Sequence, residues 1–231
     1  MRHTTMDPWV YALGVVLGAA LVAVAYGFVI RPWHMTWGST AEERSLPLPG
    51  DELVQGPLAQ ATHAITIQSP VGEVWPWLVQ MGQGRAGFYS YDWLENLFGC
   101  QIRNADRIVP EWQIIRVGDG VKLHPQAPPL TVVVAEPQRA IVLAGGSDFQ
   151  PAMSRDPSFL KLHTYRAFTW AFTVHPQPNN ATRLVIRVRV TWDRGLRHFF
   201  RSRMFLEPAH SIMQRKMNLG IKHRAESLRD H

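Results

Sequence analysis

The chain has 231 residues, enough for one folded domain of usual size and some additional segment. Its composition is 46% hydrophobic with 9 Trp, 10 Phe and 5 Tyr, which excludes an intrinsically disordered protein. The single cysteine, Cys100, excludes both an intramolecular disulfide framework and a structural zinc site built from cysteines.

The net charge of +6 is concentrated at the C-terminal end of the chain. Residues 1–193 contain 15 Lys and Arg against 15 Asp and Glu, whereas residues 194–231 contain 9 against 3. The terminal segment begins RGLRHFFRSRMF and has no zinc-finger, RNA-binding or helix-turn-helix signature, so we predict no nucleic-acid partner. Arginines beside Phe199, Phe200 and Phe205 favour contact with an anionic membrane surface instead. A solvated helix face is the alternative.

A charge-free run at residues 9–30 follows an N-terminal tail of residues 1–8. As a helix the run would span about 33 Å, close to the hydrocarbon thickness of a bilayer, so it predicts a single transmembrane helix. A cleaved signal peptide is the alternative, with Ala23-Val24-Ala25 as its cleavage site, but the apolar run continues beyond that site. Arg2 and Arg31 nearly cancel in the positive-inside count, and the basic C-terminal segment favours a cytoplasmic domain.

Residues 31–60 are rich in proline, glycine and polar side chains, which predicts a linker, either a tether or an extended wrap. A domain at 61–228 follows. Alternation predicts a strand at 63–68, and Ser69-Pro70 predicts the start of a helix to residue 81 that Pro76 should kink. A second short helix is predicted at 91–98, closed by Gly99.

The rest of the domain is predicted to be a sheet followed by one helix. Strands are expected at 120–124, 130–136 and 140–145, then a loop at 146–163, then a long hairpin of 165–174 and 182–193. In the last strand, Arg183, Arg187 and Arg189 alternate with large apolar residues, which predicts one buried and one solvated face. An amphipathic helix over 208–229 should cover the buried face. The predicted fold class is α+β, a curved antiparallel sheet wrapped around a long C-terminal helix, with two short helices after the first strand.

This order of elements resembles the helix-grip fold of the SRPBCC superfamily, which includes START lipid-transfer domains and aromatic polyketide cyclases. The segment ITIQSPVGEVWPWLVQMGQGRAGFYSYDWLENL at 65–97 looks like the opening of bacterial members, and ADRIVPEWQ at 105–113 is also similar. The resemblance covers about residues 61–228. It implies a hydrophobic cavity between the sheet and the C-terminal helix, with its mouth near the two short helices. It says little about function, because carriers, receptors and enzymes share this scaffold.

The candidate ligand-binding residues fall into two groups. Hydroxyl and carboxyl groups beside large rings predict a polar group at the cavity mouth, comprising Tyr89, Tyr91 and Glu95. An apolar lining is predicted on the hairpin and the facing helix, comprising Phe168, Trp170, Phe172, Met213 and Met217. Tyr91, Asp92 and His124 are the candidate acids and bases if the protein is an enzyme. For each group, helix capping or core packing explains the same residues.

Two other motifs are rejected as functional sites. GQGRAG at 82–87 matches a dinucleotide-binding pattern but follows a predicted helix rather than a strand, so we interpret it as a tight turn and predict no cofactor. The ten histidines show no metal-ligand spacing, so no metal site is predicted. His63 and His124 are the histidines expected to point inward.

The sequence favours a membrane-anchored protein that binds a hydrophobic small molecule or lipid between the sheet and the C-terminal helix. One alternative is an enzyme like a polyketide cyclase or dehydratase acting by acid–base catalysis in the same cavity. Another is an interaction module without a ligand. The sequence leaves open whether any reaction is catalysed. An open cavity with convergent polar groups would favour the enzyme, an open apolar cavity would favour binding, and a filled core would favour the interaction module. A filled core leaves no void, whereas a carrier needs several hundred Å³.

Overall fold

The computed structural model describes residues 7–149, 165–193 and 195–227. Within these residues six strands form one antiparallel sheet in the order β1-β6-β5-β4-β3-β2. The strands are β1 Ala59–Ile67, β2 Gly120–Val121, β3 Leu130–Glu136, β4 Ala140–Gly145, β5 Tyr165–Gln177 and β6 Ala181–Trp192. The α-helices are α1 Pro8–Ala25, α2 Arg31–Met35, α3 Ala41–Ser45, α4 Val71–Val79, α5 Asp92–Leu97, α6 Leu196–Arg201 and α7 Glu207–Ser227. The predicted loop at 146–163 lies outside the described residues from residue 150 onward.

The sheet curves around α7, so the predicted α+β helix-grip fold is confirmed. Side chains alternate along the strands, and the inner face carries Ile67, Phe172, Leu184 and Ile186, each at most 1% exposed. Helix α7 packs on this face through Met217, Ile221 and Ala225, which belong to the same core. Helix α4 packs against α7 and against β5 and β6, and its Trp77 and Leu78 belong to the same core.

Two local predictions differ from the structure. Ser69 does not cap α4, because its hydroxyl donates to the Ala225 carbonyl at 3.0 Å and so ties β1 to α7. The strand predicted at 120–124 ends at Val121, which leaves His124 in a turn. The GQGRAG segment forms a tight turn in which Gly82 and Gly87 pair through their backbones, as the glycines predict.

The N-terminal apolar segment continues as a helix well beyond the predicted run. A π-helical turn, Tyr26–Ile30, joins α1 to α2, so one helix runs over Trp9–Met35. It is long and apolar enough to cross a membrane by length and composition. The apolar side chains of its α1 part are exposed, as those of a helix in lipid would be.

The segment predicted as a linker contains α3 and a 3₁₀ turn, Asp51–Leu53, and lies across the outer face of the sheet. We call residues 36–54 the strap. At the edge strand, the Ala64 amide donates to the Trp37 carbonyl at 3.1 Å. Further along, a Cβ at Gly50 would lie 2.6 Å from a Val142 methyl of β4, so the strap crosses from β1 to β4.

The prediction that the outer face is solvated is wrong where the strap covers it. Arg187 is 2% exposed, and its guanidinium donates to the carbonyls of Glu43 and Leu46 at 2.6 and 2.8 Å and binds the Asp51 carboxylate. Arg183 binds the Glu43 carboxylate with two hydrogen bonds of 2.7 and 2.9 Å. Strand periodicity identified the arginines as one face but carried no information about what covers that face.

Gly220 sets the distance between α7 and the loop before α5. A Cβ at this position would lie 2.3 Å from the Tyr89 carbonyl oxygen. We expect Gly220→Ala to destabilise the domain by about 1–3 kcal/mol, although alanine favours helix, because the backbones must separate. Chemical unfolding followed by tryptophan fluorescence measures the change. Gly72→Ala in α4, where a Cβ meets nothing within 4 Å, is the matched control and should not destabilise. Equal stability of Gly220→Ala and wild type would contradict the close approach.

Candidate functional site

An apolar cavity of about 60 Å³ lies between the inner face of the sheet and the helical segment that precedes and opens α7. Its lining combines residues of β1, β5 and β6 with residues of the C-terminal helices and one residue of α2. The lining residues are Met35, Ala59, Ala61, Tyr165, Phe168, Val188, Val190, Ser202, Leu206, Glu207 and His210.

The cavity lies where small residues of β1 face the helical segment before α7. Ala59 and Ala61 point inward at positions where Ile65 and Ile67 fill the space further along the same strand. The rings of Tyr165 and Phe168 stack with centroids 5.9 Å apart and form the opposite wall. Met35, the last residue of the N-terminal helix, closes one side.

One end of the cavity is polar. Glu207 is 6% exposed, and its carboxylate binds Arg31 at 2.7 Å and lies 3.7 Å from Arg203. Among the described atoms, Nε2 of His210 is buried and has no hydrogen-bond partner. The His210 ring stacks on the His63 ring, with centroids 6.4 Å apart. His63 in turn contacts the His34 carbonyl through Nε2 at 2.7 Å.

Burial keeps both of these histidines neutral at neutral pH. It lowers the pKa of His63 to about 4 and the pKa of His210 to about 3, and the neighbouring ring disfavours a second charge. A neutral imidazole can donate or accept a hydrogen bond according to its tautomer. The polar end of the cavity therefore suits an uncharged hydroxyl or carbonyl group.

The N-terminal helix is fastened to the cavity wall at this end. A second π-helical turn, Ser202–Leu206, leaves the Arg203 carbonyl free to accept a hydrogen bond from the Tyr26 hydroxyl. Nδ1 of His34 contacts the Ser211 hydroxyl at 2.9 Å. Together with the Arg31–Glu207 ion pair, these contacts join the N-terminal helix to α7.

The predicted polar residues lie elsewhere, in or near an open groove of about 420 Å³ between α5 and α7. Tyr91 and Asp92 line this groove, and the ammonium of Lys216 lies 5.6 Å from the centre of the Tyr91 ring. His223 and Arg224 contribute further cationic or polar groups. The groove is outside the sheet, not between the sheet and α7.

Tyr89, also at this groove, has its ring in the core. The side chain is 1% exposed, and its hydroxyl donates to the Trp77 carbonyl at 2.9 Å and accepts from Gln80 at 3.1 Å. Burial raises its pKa. The backbone has a φ of 58°, so the side chain is held in an unusual turn by packing. These contacts explain Tyr89 as an anchor for the loop before α5.

Glu95 lies in α5, and His124 contacts the residue that follows this helix. Glu95 is 7% exposed, and burial, reinforced by Asp92, raises its pKa to about 7. His124 contacts the Phe98 carbonyl through Nε2 at 3.3 Å and accepts from the Gln126 amide at 3.1 Å. Phe98 directly follows α5, whereas Tyr91 and Asp92 lie at its start. His124 is therefore at the other end of this helix from the two other candidate acids and bases.

The predicted apolar lining divides between cavity and core. Phe168 lines the cavity, whereas Phe172 is fully buried and Met217 is 2% exposed within the packed core. The Trp170 ring lies against Phe172, and its indole nitrogen donates to Gln214 at 3.0 Å. Met213 is half-buried, and its carbonyl accepts from the Ser90 hydroxyl. Ligand contact by Phe172 or Met217 would therefore require the core to open.

Apart from Phe168, the residues that line the cavity were not predicted from the sequence. Ala59 and Ala61 precede the predicted strand, and their inward alternation with His63 was the available signal. Glu207 and His210 lay beside the predicted start of the last helix, but no motif marked them. Met35 fell in the predicted linker. Within the three described ranges, no three His, Cys, Asp or Glu side chains are grouped as metal ligands.

No known family model matches this chain, and no curated protein is similar to it. Several solved structures show partial similarity to the chain. A protein from Nitrosospira multiformis is 12% identical, covers 75% of this chain and 100% of its own, and has a TM-score of 0.45. A protein from Mesorhizobium loti is 13% identical, with coverages of 73% and 98% and a TM-score of 0.42. A norcoclaurine synthase point mutant from Thalictrum is 12% identical, with coverages of 72% and 96% and a TM-score of 0.36. Similarity at this level does not identify a ligand or a reaction.

Proposed function

We propose that this chain is a membrane-anchored helix-grip protein that binds a hydrophobic small molecule or lipid in the cavity beside α7. The observation that carries the proposal is the position of Met35, which ends the N-terminal apolar helix and also lines the cavity. A molecule dissolved in the bilayer would meet the cavity without crossing bulk water. Tethering raises the effective concentration of such a ligand at the site.

The volume restricts what can enter. The cavity is smaller than the several hundred Å³ expected for a carrier of a whole small molecule. It measures about 60 Å³, whereas small-molecule pockets usually measure about 300–1,000 Å³. The site therefore suits one slender apolar segment, such as the end of an acyl or isoprenoid chain, while the rest of the molecule stays outside. A rigid ring system would require Tyr165 or Phe168 to move.

The polar end selects for ligand chemistry. The carboxylate of Glu207 is already bound by Arg31, so the unpartnered Nε2 of His210 is the group that would meet the ligand. A neutral imidazole favours a hydroxyl or carbonyl over a charged group. The proposed ligand is an uncharged amphiphile with one such group near its slender end.

We place α1 across the membrane as a retained anchor and the domain on the cytoplasmic side, where the basic C-terminal segment is favoured. Cleavage as a signal peptide at Ala23–Ala25 would separate α1 from Tyr26 and Arg31, which fasten α7. Intact mass of the protein purified from membranes distinguishes the two, because cleavage removes about a tenth of the chain.

We expect the full chain, purified from membranes of the cells that produce it, to carry a bound molecule that native mass spectrometry detects and denaturation releases. Ala61→Leu should remove the bound mass, because the larger side chain fills the cavity. Ala209→Leu, at an exposed position of α7, is the matched control and should retain it. Thermal unfolding of both variants confirms that they fold.

An empty wild-type protein, or equal occupancy in Ala61→Leu, would contradict this function. Met217→Leu tests the same proposal from the core, because a ligand confined to the cavity should be unaffected by it. An empty but folded protein would instead favour the interaction module.

Acid–base catalysis is the second candidate, favoured by the shared position of Tyr91, Asp92, Lys216 and His223 around one groove. A carboxylate and a phenol at one groove can hold and transfer protons. Incubating the purified chain with the compound that it releases tests this candidate. A change in the mass of that compound, lost in Asp92→Asn, would show turnover.

A further inference from the structure

The helical segment Leu196–Leu206, formed by α6 and the π-helical turn after it, has an apolar surface that no described residue covers. Leu196, Phe200 and Met204 recur every four residues and therefore lie on one face. The five large apolar side chains exposed on this segment are Leu196 at 78%, Phe199 at 46%, Phe200 at 57%, Met204 at 46% and Phe205 at 70%. We call this surface the aromatic ridge.

The ridge is flanked by cations. Residues 196–206 contain Arg197, Arg201 and Arg203 and no Asp or Glu. The guanidinium of Arg203 lies 5.2 Å from the centre of the Phe199 ring, so charge and ring are side by side. Apolar side chains bordered by arginines match the boundary between acyl chains and anionic headgroups.

The contacts with the N-terminal helix fix the depth of the ridge. Arg203 lies against Tyr26, and Glu207 binds Arg31, which is the first charged residue after the apolar run 9–30. The end of that run marks the bilayer boundary for a spanning helix. Beside it, Phe28 is 80% exposed and Trp33 is 63% exposed, as residues at a membrane interface are.

We propose that the aromatic ridge lies in the headgroup region of the bilayer that α1 spans and binds anionic phospholipid there. This inference rests on the proposed anchoring of α1. Ser202 and Leu206, within the same segment, also line the cavity. The helical wall of the cavity is then a membrane-facing wall, and the route from lipid to cavity passes along it.

Site-directed spin labelling of the full chain in vesicles tests the depth. The only cysteine, Cys100, is replaced by serine, and nitroxides are placed by Phe200→Cys or Met204→Cys. Leu17→Cys reports the anchor. Gln177→Cys reports the far end of the sheet, because β5 runs about 40 Å from Tyr165 at the cavity to Gln177.

With phosphatidylcholine vesicles containing phosphatidylglycerol, we expect labels at 200 and 204 to lose accessibility to a water-soluble nickel chelate and to gain accessibility to oxygen. The label at 177 should remain accessible to the chelate. Omitting phosphatidylglycerol, or substituting Arg197→Gln, should partly restore chelate access at 200. Retained depth in both conditions would contradict the anionic lipid as the bound group.

The remaining outcomes are equally decisive. Chelate access at 200 equal to that at 177, with Leu17 inside the bilayer, would overturn the ridge proposal and leave the anchor intact. Chelate access at Leu17 would overturn the anchoring itself. Spin–spin broadening at 200 that disappears on dilution with unlabelled protein would assign the ridge to a contact between two copies of the chain. Occupancy of the cavity in the mass spectra is measured separately, so its failure does not alter these results.

Discussion

Replacing Arg187 by methionine is expected to destabilise the domain by about 3–5 kcal/mol, the range found when one partner of a buried ion pair is removed. Arg187 is 2% exposed and donates to the Thr62 hydroxyl of β1 at 3.2 Å as well as to the strap. Methionine preserves much of the side-chain volume. It leaves the Asp51 carboxylate with Arg189 at 3.2 Å and leaves carbonyls of the strap without donors.

Denaturant unfolding followed by tryptophan fluorescence measures the loss. Arg139→Met makes the same chemical change at a side chain that is 78% exposed and pairs with Glu136, so it should cost under about 1 kcal/mol. Proteolysis of Arg187→Met should begin in the strap at 36–54, before the sheet is cut. A destabilisation no larger than that of Arg139→Met would mean that the strap is held by other contacts.

The strap also fixes the position of the domain relative to the N-terminal helix. A flexible linker would let the two move independently. Here the chain that leaves Met35 pairs with the edge strand at Ala64 and is then held by Arg183 and Arg187. The same junction carries the Arg31–Glu207 ion pair, so the N-terminal helix is held to the cavity wall.

The elements could be predicted because their signals are local. Alternation placed the long hairpin close to its observed bounds, and the stripe of Met213, Met217 and Ile221 placed α7. The strap could not be predicted in this way. Its short helix and 3₁₀ turn are stabilised by arginines more than a hundred residues away, and no local pattern in 36–54 records those partners.

The candidate site shows the same limit. Large aromatic residues such as Phe172 predicted the cavity lining. The cavity, however, lies beside small residues such as Ala61, and an alanine methyl group gives no sequence signal for a binding site. Whether a large ring on a strand fills the core or borders a cavity depends on the distance between that strand and α7. That distance is set by the packing of the whole chain, so no local pattern around Phe172 or Ala61 records it.

The free energy of unfolding of the domain is expected to fall by about 3 kcal/mol or more as the pH drops from 6.5 to 4. The cause is protonation of the stacked histidines His63 and His210. Burial lowers the pKa of His63 from 6.5 to about 4 and that of His210 to about 3. Below pH 6.5 the unfolded chain binds protons that the folded chain excludes. The stability is therefore fully present above pH 6.5 and is lost as the pH falls towards the folded pKa values.

A charge on His63 further lowers the pKa of His210. Three other polar side chains face the same end of the cavity. Glu207, which is paired with Arg31, and Ser211 belong to α7, and His34 belongs to α2. His63→Gln combined with His210→Gln removes both titrating rings, and the glutamine amide at 63 can still donate to the His34 carbonyl. The free energy of unfolding of this double variant should change less between pH 7 and 4 than that of the wild type, by about 3 kcal/mol.

Unfolding curves at several pH values measure the difference, with His223→Gln at an exposed position of α7 as the control for loss of a histidine. Parallel pH dependences of the double variant and the wild type would show that the rings are charged, or solvated, in the folded protein. The same titration bears on ligand binding. A proton on His210 would place a charge at the polar end of the cavity, so an uncharged ligand should be released over the same pH range in which the fold weakens.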